Sequence, residues 1–320
     1  MTFGAAAQEK PLELRMAFLL PLDSYQGAGV TAFIEDVRQA SNGRIRVTPQ
    51  GGGSGGSEAQ TIQNAMAGKV EMVVSTTTSI ASVLKVMALW DTPLLFANAS
   101  EAYAMLDGVP GRKVLDALDG VGLVGLSYWE NGFRNVTNNV RPITSMGDFK
   151  GLRLRVMPTE IATSAFKRLG VDVRPLPWPE VIGAINSNTI DGQENPLTVI
   201  SSTKLYEIQK YMSLTNHVYS PFAVVASKQW WASLSAEDQK ILRDAAEKSR
   251  IVQRAAARKA ADDAMVIFRN SQMKVNTIDA SARASIAYRL ERNVAAIAAN
   301  VGLPLWIETN NMLVEMRAKK

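Results

Sequence analysis

Two stretches of this chain carry the residue types that could grip a ligand. Gly151-Leu152-Arg153-Leu154-Arg155-Val156 sets Arg155 inside an alternating apolar run, and a helix-sized interval further on comes Asp191-Gly192-Gln193-Glu194-Asn195-Pro196-Leu197. An arginine is always charged, and its planar fork matches a carboxylate with two parallel hydrogen bonds. Leu154 and Val156 on either side predict a strand whose tip holds the Arg155 fork. Arg134, in Trp129-Glu130-Asn131-Gly132-Phe133-Arg134-Asn135, is a second candidate grip. It follows a predicted strand and sits among Asn131, Asn135, Asn138 and Asn139, which suits a polar loop at a domain junction; an ordinary surface arginine would look the same. Arg155, Arg134 and the amide of Asn195 together would converge on an anion with no carboxylate to neutralise them. Such chemistry captures an organic acid and supplies nothing to transform one.

Other residues leave two readings open. Trp178, held between Pro177 and Pro179, is either core or a flat wall beside a ligand. His217 is the only histidine, and with no cysteine and no second imidazole it gives little basis for a triad or a metal site. Taken alone, it reads as a hydrogen-bonded structural residue. Gly51, Gly53 and Gly56 satisfy G-x-G-x-x-G between a strand and a helix, the context of a dinucleotide site. Glu71, however, falls at the start of its strand, where the ribose-binding acid belongs at the end, and Pro49 interrupts the approach. A flexible entry loop fits better. Arg250, Arg254 and Arg258 form an i, i+4, i+8 stripe flanked by Glu247, Asp262 and Asp263, which predicts a solvated face.

The elements that position these residues alternate. Leu12 to Phe18 alternates like a strand, Gly27 to Ala40 has helical spacing, and Arg44 to Val47 is a second strand. The glycine run leads into a helix from about Ser57 to Met66, then a strand at Val70 to Val74. Later, Val121 to Trp129, Gly151 to Val156, Val171 to Pro175 and Phe222 to Ser227 read as strands, with helices at Glu160 to Leu169 and Glu180 to Asn186. A long Ala-rich helix, about 236–270 and capped by Ser235, is long enough to span two domains. This order predicts an α/β fold with a mainly parallel sheet and ligands at the C-terminal ends of strands.

The chain has 320 residues, a net charge of +5 and no cysteine. Its length predicts two domains. Its dispersed charges do not argue for nucleic acid, and no apolar run is long enough for a bilayer span. Phe3-Gly4-Ala5-Ala6-Ala7-Gln8 resembles the end of a secretory signal, with Met1 as a start; a plain disordered tail over residues 1–10 is the alternative.

Trp129 to Arg134, Gly151 to Val156, Pro177-Trp178-Pro179-Glu180-Val181, Asp191 to Leu197 and Leu214-Thr215-Asn216-His217 together resemble the extracytoplasmic solute-binding subunits of TRAP transporters, of the C4-dicarboxylate-binding (DctP) type. The resemblance runs from about Leu12 to about Ala246. It implies a periplasmic binding protein type II-like architecture, two α/β lobes around a ligand cleft, joined by hinge strands and the long helix. The expected division is 11–130 plus 218–255 for lobe I and 131–217 plus 256–320 for lobe II. By motif, the resemblance places the main carboxylate salt bridge on Arg155. Arg134 and Asn195 assist, Trp178 packs on the ligand, and His217 joins a polar or water network. On the opposite lobe, Thr76, Ser79, Leu19 and Glu58 fall by position where the ligand is selected. The apolar first loop Phe18-Leu19-Leu20-Pro21-Leu22 points to a smaller or less hydroxylated acid, and Thr76 and Ser79 argue against a sialic acid. The implied protein is a monomeric periplasmic receptor that needs no cofactor or metal, binds no nucleic acid and delivers its acid to the membrane subunits. An enzyme on the same scaffold, such as a transferase acting on a carboxylated substrate, is the alternative.

Overall fold

The computed structural model describes residues 11–319; the signal-like segment lies outside them. In chain order the elements are β1 Leu12–Phe18, α1 Tyr25–Ala40, β2 Ile45–Gln50, α2 Glu58–Met66, β3 Met72–Thr76, α3 Thr77–Ile80, α4 Ala99–Asp107, α5 Val109–Asp116 and β4 Leu123–Asn138. There follow β5 Arg153–Val156, α6 Glu160–Arg168, β6 Asp172–Pro175, α7 Val181–Asn186, β7 Gly192–Pro196, α8 Leu197–Ser202, β8 Tyr211–Leu214 and β9 Tyr219–Ser227. The chain closes with α9 Lys228–Trp231, α10 Ala236–Arg269, β10 Lys274–Thr277, α11 Ala280–Val301 and α12 Leu303–Ala318.

The strands form one mixed sheet in the order β2-β1-β3-β9-β4-β7-β5-β6, with β8 on β4 and β10 on β8. Pairs β1/β2, β1/β3, β5/β6 and β5/β7 are parallel, as strand–helix alternation predicts. The middle of the sheet is not: β9 runs antiparallel to β3 and β4, and β4 antiparallel to β7 and β8. The expectation of a mainly parallel sheet therefore holds for the two flanks and for β8/β10 and fails in the middle. Pro49 is tolerated within β2 because β2 is an edge strand, where a missing amide hydrogen costs no ladder bond.

β4 is the main correction to the sequence reading. The Asn-rich stretch around Arg134 is not a polar loop. β4 runs unbroken for 16 residues, and its pairing with β9 is interrupted by register shifts at Gly125/Ser127 and Glu130/Gly132. Gly132 sits at φ +122° in the second of these, a backbone that L side chains rarely adopt, so Asn131-Gly132 makes a bulge where a polar loop was expected. The first part of β4 pairs with β9; the part from Arg134 onward pairs with β7. One strand thus serves two half-sheets.

Each half-sheet is covered by helices on both faces. Two apolar clusters flank the first half, one containing Trp90, Leu89 and Val73 and the other Phe33, Trp129 and Phe222. The second half has its own pair, around Leu154, Val156 and Phe166 and around Ile185, Ile200 and Phe268. α10 contributes Leu242 to a cluster of the first half and Phe268 to one of the second. α11 does the same with Ile297 and Ile286, and Leu313 of α12 joins the first half. The C-terminal segment thus sends apolar side chains into clusters of both halves. The arginine stripe on α10 is not a free solvated face: Arg250 and the buried Arg254 bind Asp107, and the half-exposed Arg258 bonds Glu130.

Candidate functional site

Arg155 is the third residue of β5. Alternation turns Leu154 and Val156, both fully buried, into an apolar core and sends the guanidinium to the opposite face, where only 3% of Arg155 is exposed. Its Nε donates to the Leu176 carbonyl at 2.8 Å, which fixes the plane of the fork. The indole of Trp178 lies under the guanidinium at 5.8 Å, within cation–π range. Among the described residues the two terminal nitrogens of Arg155 have no hydrogen-bond partner. They border a cavity lined by Leu19, Leu20, Glu58, Thr76, Asn131, Arg134, Arg155, Met157, Trp178, Asn195, Val199 and Phe222. Burial pushes the Arg155 pKa down to about 10, against which the charges of Glu194 and Glu58 pull upward while Arg134 adds to the depression. The group stays charged at neutral pH.

Arg134 lines the same cavity, but its charge is already used. Its Nε meets Glu194 Oε2 at 2.5 Å and its Nη2 meets Oε1 at 2.8 Å, with both side chains buried. The same Nη2 reaches the Glu194 carbonyl at 2.7 Å and the Asn195 Oδ1 at 3.2 Å. The expected set of donors without a neutralising carboxylate is therefore corrected: Glu194 neutralises one of the two arginines. Burial alone would raise the Glu194 pKa. The Arg134 charge and the hydrogen bonds from His217 and Arg134 outweigh it and hold the carboxyl at about 2. Asn195 accepts from Arg134 and donates to Gln193, so it joins this array while still lining the cavity.

His217 stands behind the pair. Its Nε2 lies 3.2 Å from Glu194 Oε2, and its Nδ1 lies 2.8 Å from the Thr215 hydroxyl. It lines a neighbouring cavity with Thr78, Asp91, Glu194 and the apolar side chains of α6, not the one that Arg155 borders. Asp91 is fully buried there, accepting from Thr77 and Thr78; burial pushes its pKa up to about 7.

Glu58, the first residue of α2, is placed by the glycine turn before it. Gly52, Gly53 and Gly56 all have positive φ, and at Gly51 a Cβ would meet the Phe18 ring at 2.5 Å. Glu58 Oε1 accepts from Ser75 Oγ at 2.9 Å and the Thr76 amide at 2.7 Å; Oε2 lies 2.9 Å from Ser79 Oγ and 3.2 Å from Thr76 Oγ1. Thr76, Glu58 and Leu19 line the Arg155 cavity, and Ser79 lines a side cavity that also borders Glu58, Arg155 and Trp178.

Of the sequence-derived candidates, the structure gathers Arg155, Arg134, Asn195, Trp178, Thr76, Glu58 and Leu19 around one cavity. Ser79 lies one residue removed and His217 behind. Sequence reasoning missed Glu194, Asn131, Leu20, Met157, Val199 and Phe222. Glu194 left a trace: β7 reads Gly-Gln-Glu-Asn-Pro and is buried throughout without an apolar side chain apart from the proline, a composition that only internal polar partners can satisfy. The described residues hold no cluster of three or more metal-type ligands.

The comparisons agree with this architecture. Residues 16–300 match the family described as bacterial extracellular solute-binding protein, family 7 (DctP). The crystal structure of a sugar acid binding protein from Advenella mimigardefordensis in complex with galactonate superposes with a TM-score of 0.92 at 37% identity, covering 96% of this chain and 99% of that one. A solute-binding protein of Verminephrobacter eiseniae is 35% identical over 78% of this chain and 74% of its own length. The 2,3-diketo-L-gulonate-binding periplasmic protein of Escherichia coli is 34% identical over 79% of this chain and 76% of its own. With its fold, its cleft and its motifs in agreement, this chain belongs to family 7 of the bacterial extracellular solute-binding proteins, the DctP family of two-lobed TRAP receptors.

Proposed function

We propose that this protein is the periplasmic receptor of a TRAP transporter, that it seizes a small organic acid anion with Arg155, and that it delivers the acid to the membrane subunits. The observation that carries the reading is the buried Arg155 fork, aimed into a cavity with no hydrogen-bond partner on its terminal nitrogens among the described residues. A buried charge without its counter-ion is costly, and a ligand carboxylate removes that cost. Two charge-assisted bonds at roughly 1.5–3 kcal/mol each supply about half of the about 8 kcal/mol that micromolar binding requires. Trp178, Val199, Met157 and Phe222 supply apolar surface for the carbon frame. Arg134, held by Glu194, and Asn195 present their remaining hydrogens to the same space, and His217 stiffens the array from behind.

The relatives that bind galactonate and 2,3-diketo-L-gulonate are consistent with an acid of this kind. Lobe I, about 11–130 and 218–255, supplies Glu58, Thr76, Ser79 and Leu19. Lobe II, about 131–217 with part of the C-terminal segment, supplies Arg155, Asn195 and Trp178. Closure of one lobe onto the other is favoured by the ligand's contacts with both. No helix among the described residues is long and apolar enough to cross a membrane, consistent with a receptor that works beside its permease.

Calorimetry with a panel of organic acids and their primary amides tests the proposal. An acid that binds while its amide does not, and that is recovered unchanged after prolonged incubation, supports a carboxylate receptor without catalysis. Equal binding of acid and amide overturns it.

A further inference from the structure

The cavity holds a second fixed charge that the capture of a carboxylate does not use. Four groups set its electrostatics: Arg134 and Glu194 cancel each other in a buried bidentate pair, which leaves Arg155 and Glu58. Both line the main cavity and the side cavity, so a ligand seated on Arg155 extends beside Glu58. Glu58 has no salt bridge to any cation among the described residues; neutral donors hold it instead, on strand β3 and at Ser79. Such donors fix the position of a carboxylate without cancelling its charge.

We propose that Glu58, against the less hydroxylated acid that the apolar first loop suggests, makes this site selective for hydroxylated monocarboxylates and rejects dicarboxylates. The inference rests on Arg155 taking the ligand's carboxylate. With that carboxylate seated, the site carries one net negative charge, counted over Arg134, Arg155, Glu58, Glu194 and the ligand. A second ligand carboxylate makes it two in a water-poor cleft, with like charges facing each other, an arrangement that discriminates against the wrong partner. A hydroxyl at the same place is welcome. Thr76 has one hydroxyl hydrogen and two acceptors in reach, Glu58 Oε2 at 3.2 Å and Ser79 Oγ at 3.0 Å. When that hydrogen goes to Ser79, Glu58 Oε2 keeps a lone pair free for a ligand O–H. Glu58 thus gives a hydroxyl a charged acceptor and gives a carboxylate only repulsion.

The test uses ligand pairs that differ only in whether the far end is CH₂OH or COO⁻: galactonate and galactarate, 4-hydroxybutanoate and succinate. Both are titrated at pH 7.5 into the wild type, Glu58→Gln, Glu58→Ala and Arg155→Ala. In the wild type the monocarboxylate of a pair that binds is expected to be at least about 100-fold tighter than its dicarboxylate. Glu58→Gln, which keeps the shape and an acceptor oxygen, narrows that ratio by at least about tenfold, chiefly by improving the dicarboxylate. Glu58→Ala narrows it too, and melting curves of all variants establish that they fold. A dicarboxylate that binds the wild type as tightly as its partner overturns the inference. So does a ratio unchanged in both Glu58 variants while Arg155→Ala abolishes binding, an outcome that leaves the Arg155 reading standing. Binding that survives Arg155→Ala, or no binding of either pair, overturns the Arg155 reading and the selectivity with it.

Discussion

Two arginines border the same cavity, equally buried and on neighbouring parts of one sheet, and they do opposite work. Arg134, on β4, has its charge matched inside the protein: Glu194 takes its fork, Asn195 shares one nitrogen, and His217 backs the carboxylate. Arg155, on β5, has among the described residues one hydrogen bond, to the carbonyl of Leu176, and an indole beneath it. Burial depresses the pKa of Arg155, whereas at Arg134 burial is outweighed by the Glu194 charge and hydrogen bond together with the charges of Asp91 and Glu58, and the pKa is raised. A buried cation whose partner is in the protein is a structural element. One whose terminal nitrogens face a cavity is the proposed binding site.

The sharpest way to break this contrast is to remove each cation in turn. Arg155→Ala is expected to lower affinity for the acid by about 10²–10⁴-fold, the worth of two charge-assisted bonds, while the unliganded protein melts close to the wild type. Arg155→Lys recovers only part of the loss, because an ammonium lacks the planar fork. If either arginine were replaced with the same loss of stability, the division of labour would be wrong.

Glu194→Ala strikes the other partner. It strands the buried Arg134 charge and is expected to cost roughly 3–5 kcal/mol of stability, as breaking a buried pair does; denaturant unfolding of the ligand-free protein measures it. Arg155→Ala in the same assay should shift stability by less than about 1 kcal/mol, since no protein carboxylate loses a partner.

Asp91 sharpens the comparison from a third side, as a buried carboxylate held by hydroxyls and not by a bonded cation. Its pKa is about 7 in the folded chain, against an ordinary value of 3.8. The folded state therefore holds a proton that the unfolded state has already released between about pH 4 and pH 7. Stability is full at the acid end of this window and falls as pH rises through about 7. Asp91→Asn is expected to flatten that decline and to leave the protein more stable than wild type at pH 8 by roughly 2 kcal/mol, order of magnitude. Thermal melts from pH 5 to pH 8.5 check the sign. For Glu194, held at about 2, the contribution runs the other way and is lost only as pH falls from about 4.5 toward 2.

The smallest expected effect is at Trp178. Removing its ring takes away an apolar wall and a cation–π contact worth roughly 0.5–2 kcal/mol, so Trp178→Ala should weaken the acid about 3–30-fold by calorimetry. Trp178→Phe should keep most of the affinity.

Much of this was legible in the sequence, because it is local. Alternation around Leu154, Arg155 and Val156 fixes which face of β5 the guanidinium takes, whatever lies opposite. Ser57 and Ser235 cap α2 and α10 where their side chains and the apolar spacing place the helix starts. The ordered motifs from Trp129 to His217 identify the family, since each is a short run whose residues act within one turn or strand.

What the sequence left undecided depends on chain segments meeting from afar. Asn131-Gly132 reads as part of a polar loop until β9 is laid beside it, when it becomes a bulge in a strand shared by two half-sheets. Glu194 lies 60 residues from Arg134, and no pattern of types in either segment says that the two charges cancel. Glu58 reaches the cavity only because the glycine turn sets α2 against β3. Sequence therefore determined which residues could carry charge into a cleft and which elements would hold them. The tertiary structure decided whose charge remains free, because side-chain period and capping act over a few residues, whereas compensation of a buried charge depends on whichever group the fold brings within hydrogen-bond reach.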